Sequence, residues 1–285
     1  MKKWNLVIDV ATCFNCNACT MACHDEYFGN EFPGVAAEMQ RQGHRWIDIH
    51  QREVGRCPTV EVSYLPVTCN HCDDAPCLKA ARDGAVQKRA DGIVIIVPEK
   101  AKGQRQLVDA CPYGAVHWNE EKQLPQAWPF DAHLLDGGWT KTRGSQVCPT
   151  RAMRTLHVED AEMERIVREE KLDVLHPEYG TKPRVYYKNL DRWTKVFIAG
   201  SIAGEIGGVN DCIAGARVVL EQGGARLGET LSDVYGDFRF KGLEEDSGTY
   251  RLRVEEARFE PKTLDVVLGR GAVLDNIKLE KRPRS

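Results

Sequence analysis

The chain has 285 residues, eleven of them cysteine, and a formal net charge of −3. That length suits one large domain or two to three modest ones. The near-neutral balance, with no basic stripe, argues against a nucleic-acid partner. So many cysteines in a chain that is neither small nor evidently secreted point to metal chemistry in a reducing compartment, not to a disulfide scaffold.

In chain order, the opening apolar run behind Lys2 and Lys3 is too short for a signal peptide. No stretch approaches the length of a membrane span, and the expected location is cytoplasmic. Leu6 to Val10 reads as a short strand that delivers a loop containing Cys13, Cys16 and Cys19, three residues apart, followed by Cys23. Three thiolates so closely spaced can hold three corners of an iron–sulfur cubane, and the fourth must come from a distant residue. Strand character returns near Trp46 to His50. His44 and His50 are expected to be surface or hydrogen-bonded residues, since no second ligand pair lies beside them. Cys57, alone before Pro58, reads as a free thiol.

Cys69, Cys72 and Cys77 form a second run, with two and then four intervening residues. A zinc knuckle would need a second Cys-x2-Cys pair to close a tetrahedron, and none follows. Asp91-Gly92 is a turn signal before a short strand at Ile93 to Val97. Glu99 to Ala110 is helix-like and runs into Cys111-Pro112, and a second lone pair follows at Cys148-Pro149. Proline after a ligand cysteine turns the chain away from the cluster. These two cysteines are therefore the candidates for the distant fourth corners.

From Val158 to Leu175 the chain is charged and helix-periodic, with Ala161, Met163, Ile166, Val167 and Leu172 on one side. Pro177 and the Gly180–Pro183 turn end it, and Arg184 to Leu190 reads as an extended connector. From Thr194 onward, short β-rich runs alternate with Gly and Asp, the texture of a β-sandwich. Cys212 is expected there as a lone buried or loop thiol, and the Gly223-Gly224 turn as ordinary hairpin chemistry without a phosphate-binding role.

The cysteine runs and their order resemble the iron–sulfur subunits of the dimethyl sulfoxide reductase family, with the transhydroxylase-type small subunits nearest. Phrases outside the metal motifs carry the resemblance too: Gly43-His44-Arg45-Trp46, Asp91-Gly92-Ile93-Val94, Pro98 to Gly103, Cys111 to Gly114, Ala132 to Asp136 and Gly180 to Leu190. The resemblance implies an α+β chain with two ferredoxin-like [4Fe–4S] modules (1–157) and a prealbumin- or carboxypeptidase-regulatory-like β-sandwich (196–285); the helix and extended connector between them (158–195) read as an arm for docking onto a partner. The resemblance also implies the ligand sets. Cys13, Cys16 and Cys19 would share a cluster with Cys148, and Cys69, Cys72 and Cys77 would share one with Cys111.

Two further family clusters lack their ligands. One would need cysteines at Ala81, Ala101, Gln104 and Leu107. The other would need Cys23 with the positions of Trp128, Asp131 and Gly144. Asp131 could ligate iron in principle; Trp128 and Gly144 cannot. The cofactor expectation is thus two [4Fe–4S] clusters, with a third held by Cys23 and Asp131 as the open alternative. The family's two missing clusters lie between the retained ones, so end-to-end electron transfer would be interrupted. The clusters would serve as local electron buffers or as staples for loops.

The expected function is a non-catalytic iron–sulfur subunit. Its partner would be a large molybdopterin subunit (Mo or W bound to the pterin) acting on polyhydroxylated aromatics in anaerobic degradation, with no catalytic residue on this chain. Alternatives are an electron-transfer subunit of a phenol hydroxylase or catechol dehydroxylase of the same family, or a free-standing ferredoxin.

Overall fold

The computed structural model describes residues 1–283. The chain opens with β1 (Lys3–Asp9), α1 (Ala18–Tyr27) and the long hairpin β2 (Ile47–Arg56) and β3 (Thr59–Thr68). It continues through α2 (Pro76–Ala80), β4 (Val86–Lys88), β5 (Val94–Ile96), α3 (Pro98–Ala101) and α4 (Gln106–Asp109). Then come β6 (His117–Asn119), β7 (Leu124–Gln126), α5 (Ala132–Asp136), α6 (Arg143–Val147), β8 (Met153–Val158), α7 (Asp160–Glu170), β9 (Val185–Lys188) and α8 (Asp191–Thr194). The remainder is all strand: β10 (Lys195–Ile206), β11 (Val209–Cys212), β12 (Arg217–Gln222), β13 (Ala225–Leu231), β14 (Asp237–Glu244), β15 (Gly248–Glu255), β16 (Lys262–Leu268), β17 (Ala272–Val273) and β18 (Ile277–Leu279). Among the described residues no helix is long and apolar enough to cross a membrane.

Two compact units result, one of residues 1–51 and 63–190, the other of 52–62 and 191 onward. In the first, β1 is the centre of a three-stranded sheet, antiparallel to β8 and parallel to β9, with Leu6 opposite Thr155 on one side and Val185 on the other. Being central, β1 is buried from Trp4 to Ile8, and Leu6 and Ile8 are fully buried. Helix α7 lays Met163, Ile166 and Val167 against Val7, Leu156 and Tyr186, the i, i+3, i+4 stripe of an amphipathic helix.

The stretch expected to form an arm over 158–195 is therefore folded, as far as Leu190, into the first unit. Its apolar stripe and the β-rich Val185–Lys188 are consumed by the chain's own sheet.

The rest of the first unit is built of short pieces. The β4–β5 hairpin turns at Gly92, as the Asp-Gly pair requires, and packs into a small core with Ala101, Leu107 and Val116. The helix expected over 99–110 is two single turns, α3 and α4. Gly103 between them has φ of 78° and its N–H bonds Gln123 O at 2.8 Å, not a helical carbonyl.

In the second unit, one sheet has the order β11-β10-β14 with β17 and β18 parallel to β10, and the other runs β13-β12-β15-β16. Ile198, Ile202, Val218, Leu220, Phe238, Phe240, Leu252 and Val254 from both sheets share one core, as in a sandwich. The hairpin tip 52–62 belongs here, and Val54 is buried in that core. Strands β11 and β13 escape sequence reading because they are exposed almost along their whole length and have no apolar alternation. Cys212 lies on β11 as an exposed thiol, neither buried nor in a loop. Cys57 is an exposed free thiol in the hairpin turn.

Candidate functional site

The first cysteine loop is wound tightly after β1. Asp9 accepts the N–H groups of Thr12 and Cys13 through its carbonyl and that of Ala11 through its carboxylate. Asn15 and Asn17 then sit at φ near 60°, the left-handed region that asparagine tolerates best among residues with a side chain. The Asn17 amide donates to both oxygens of Asn15 at 3.0 Å, which fixes the turn that places Cys19 in the first helical turn of α1.

Cys148 arrives from far along the sequence at the end of α6, whose start is capped by Thr142 Oγ1 accepting from Ser145 N. Its sulfur lies 3.6 Å from Thr150 Oγ1. The four sulfurs are electrostatic neighbours. Burial, followed by Cys148 and Cys16, raises the Cys13 thiol. Burial pushes Cys19 up to about 11, with Cys13 and Cys148 adding to it against the Thr20 hydrogen bonds.

The second loop is held from three sides. His71, at φ of 46° and 1% exposed, accepts the Val94 N–H on Nδ1 at 3.1 Å. Burial and then the Lys88 ammonium push its pKa down to about 3, which keeps Nδ1 an acceptor. Lys88 Nζ donates to the carbonyls of His71, Cys72 and Gly92 and pairs with Asp73 at 2.8 Å.

The third side is the 180–184 segment. Asp73 N and Asp74 N donate to Lys182 O and Thr181 O, Arg184 N donates to Asn70 O, and Thr181 Oγ1 lies 2.6 Å from Tyr113 Oη. The Arg184 guanidinium is buried and bidentate on Asp73, at 2.7 and 2.5 Å. Cys69, Cys72, Cys77 and Cys111 meet inside this frame. Burial pushes Cys69 well above its ordinary value and Cys77 up to about 11, and Cys111 and Cys72 add to both shifts, with Cys77 adding to that of Cys69. Cys72 is raised by burial and by Cys111, against a hydrogen bond from Thr181.

Clustered thiols that repel one another as anions ionise readily only when a cation compensates them. Four thiolates of this kind are the donor set that an iron–sulfur cubane accepts. Among the described residues no three His, Cys, Asp or Glu side chains converge on a point fit for a single metal ion.

The other positions singled out in the sequence fall in two places. Ala101 and Leu107 are fully buried, with Ala81 packed against the same core. Gln104 imitates a backbone strand there: its Oε1 accepts from Arg82 N at 2.9 Å, and its Nε2 donates to Arg82 O and Lys100 O.

The second place gathers Cys23, Trp128, Asp131 and Gly144. Asp131 is 0% exposed. Its Oδ1 accepts from Tyr27 Oη at 2.8 Å and Trp128 Nε1 at 2.9 Å, and its Oδ2 accepts from Arg143 N at 2.7 Å. Burial raises its carboxyl, against these three donors. Cys23 is 2% exposed, and burial and then the Asp131 charge push its thiol well above the ordinary value. Gly144 lies against α1, where a Cβ would come within 3.5 Å of Cys19 Cβ and 3.3 Å of Met153 Sδ.

His44 is not simply a surface residue. It stacks flat on His117 at 4.7 Å, and burial, with His117 next, lowers its pKa to about 4. Sequence reasoning missed Tyr27, Lys88, Thr181 and Arg184 as supports of the loops, because each acts through partners distant in the chain. Only the Gly180–Leu190 phrase signalled anything there.

Residues 60–158 match the family model described as a 4Fe-4S dicluster domain. The chain is 44% identical over 258 residues to the pyrogallol hydroxytransferase small subunit of Pelobacter acidigallici, covering 90% of this chain and 91% of that one. It is 31% identical over 194 residues to a subunit of the tetrathionate reductase of Salmonella typhimurium, covering 66% and 73%. To a subunit of the sulfite dehydrogenase of Allochromatium vinosum the identity is 28% over 200 residues, covering 66% and 83%.

Proposed function

Because the chain belongs to the family of iron–sulfur subunits that includes the pyrogallol hydroxytransferase small subunit, we propose that it is the non-catalytic iron–sulfur partner of a molybdopterin subunit. That large subunit would act on polyhydroxylated aromatics by hydroxyl transfer. The observation that carries the reading is that thiols of each run neighbour one from far along the chain: Cys13 and Cys19 neighbour Cys148, and Cys69, Cys72 and Cys77 neighbour Cys111. Cys13, Cys16, Cys19 and Cys148 would hold one [4Fe–4S] cluster, and Cys69, Cys72, Cys77 and Cys111 the other.

Such a cluster, when bound, supplies a site that takes up and returns one electron. The chain's own residues do the rest. The two left-handed asparagines and the α6 cap fix the first set of thiols. Lys88, Thr181 and Arg184 fix the second and bring positive charge and N–H donors close to it. The positions of Ala81, Ala101, Gln104 and Leu107, and of Trp128, Asp131 and Gly144, are committed to packing and hydrogen bonds. Two clusters without intermediates suit a local electron buffer better than a wire. That matches a reaction in which hydroxyl transfer is redox-neutral overall. The location proposed for the complex is the cytoplasm.

Anaerobic co-expression with the large molybdopterin subunit, followed by purification through a tag on this chain, tests the reading. The expected product is a stable heterodimer containing molybdenum or tungsten and pterin, active in hydroxyl transfer between phenolic rings. A chain that purifies alone as a stable monomer and shuttles electrons between unrelated enzymes would overturn it.

A further inference from the structure

We propose that Asp131 is a positioning residue for the Cys148 thiol: its buried carboxylate ties the end of the helix bearing Cys19 to the start of the helix that delivers Cys148. The proposal rests on the reading that Cys13, Cys16, Cys19 and Cys148 share a cluster. Tyr27, the last residue of α1, donates to Oδ1, and Arg143, the first residue of α6, donates through its backbone N–H to Oδ2. Trp128 Nε1 takes a second position on Oδ1 and fixes the carboxylate plane.

Helix α6 has only five residues, and Cys148 follows its last one directly. A shift of Arg143 along α1 is therefore passed on to the sulfur with little slack. The contact surface between the two helices is smooth, since Gly144 presents no side chain to Cys19, and backbone packing there sets separation better than register. Register is what a three-donor carboxylate supplies. A second tie between the helices, the Arg143 side chain on Glu26 at 3.2 Å and on the exposed Asp25 at 3.6 Å, is less buried than the Asp131 carboxylate.

A carboxyl group at a fully buried point is costly unless it is hydrogen-bonded, and here three donors meet it. A wedge that merely filled space would not call for a carboxyl group. Three donors already occupy most of the acceptor positions on the two Asp131 oxygens. Asp131 acts on the cluster only through the placement of Cys148.

The test uses the complete chain purified anaerobically with its partner, with iron loss to a chelator followed by EPR separately for the two clusters. Asp131→Asn keeps the shape but turns an amide N–H toward one of the three donors. The expected result is release from the first cluster faster by on the order of 10-fold, with an altered signal, while the second cluster is unchanged. Tyr27→Phe, which leaves the Arg143 bond intact, should give a smaller acceleration in the same cluster. It decides the matter should Asp131→Asn fail to fold. Wild-type release in the variants, or equal acceleration at both clusters, overturns the proposal. Cys148→Ala, which offers no donor atom, is the control on the underlying reading. If it leaves both clusters in place, the ligand assignment itself is wrong; if it removes one while Asp131→Asn changes nothing, only the role of Asp131 falls.

Discussion

Arg89 and Asp136 show what single surface charges do in this chain. The guanidinium pairs with Asp136 at 2.6 and 2.8 Å and with Asp91 at 2.8 Å, joining the β4–β5 turn to α5. The Arg89 hydrogen bond holds the Asp136 carboxyl below its ordinary value near 3.8, against the opposing effect of burial. A depressed carboxyl contributes stability above its unfolded pKa and loses it as pH falls through the folded one. Asp136→Asn should therefore lower the denaturant midpoint at pH 7, and its difference from the native chain should shrink progressively below about pH 4. Midpoints measured for both at several pH values check this; a difference that is constant with pH would contradict it. Six of the eight candidate ligands are proposed from thiol spacing, a local signal, and Cys111 and Cys148 from lone Cys-Pro pairs and the family resemblance. The supports were not legible in the sequence. Asp131 draws its donors from Tyr27, Trp128 and Arg143, and Arg184 binds Asp73 across 111 positions. No local pattern announces such partners.

At the scale of elements, periodicity read well where an element packs one face and poorly where tight turns intervene. Helix α7 and the core strands of the sandwich were visible as apolar stripes. The segment over 99–110 had helical composition, but Gly103 and the Gln104 side chain divert it into a turn between two short helices. The β2–β3 hairpin shows how one backbone position governs a fold. Gly55 has φ of 90°, and a Cβ there would lie 2.4 Å from Thr59 O and 2.6 Å from Phe197 Cζ, all within the second unit. Gly55→Ala should cost at least about 1–3 kcal/mol in strain alone, plus the displacement of Phe197 from the sandwich core. Gly103→Ala, at φ of 78° with open space around it, should cost only about 1–2 kcal/mol. Denaturant unfolding of the two variants ranks them; equal costs would mean that the Phe197 contact is unimportant.

For the whole molecule, composition and texture indicated a cysteine-rich part followed by a β-sandwich, and two compact units are found. Two features were out of reach. The hairpin tip 52–62 is counted with the sandwich, since Val54 completes its core. Residues up to Leu190 complete the first unit through β9, because a strand parallel to β1 can come from any distance in the chain. On the proposed reading this fold holds two clusters, and the positions that two others would need serve side-chain packing and the Asp131 hydrogen bonds. Iron and acid-labile sulfide per chain, measured on the anaerobically purified complex with quantitative EPR of the reduced state, test it most directly. After subtraction of any cluster in the large subunit, about eight iron and eight sulfide per chain, in two spin systems, are predicted. About twelve of each, with a third spin system lost on Cys23→Ser, would contradict it.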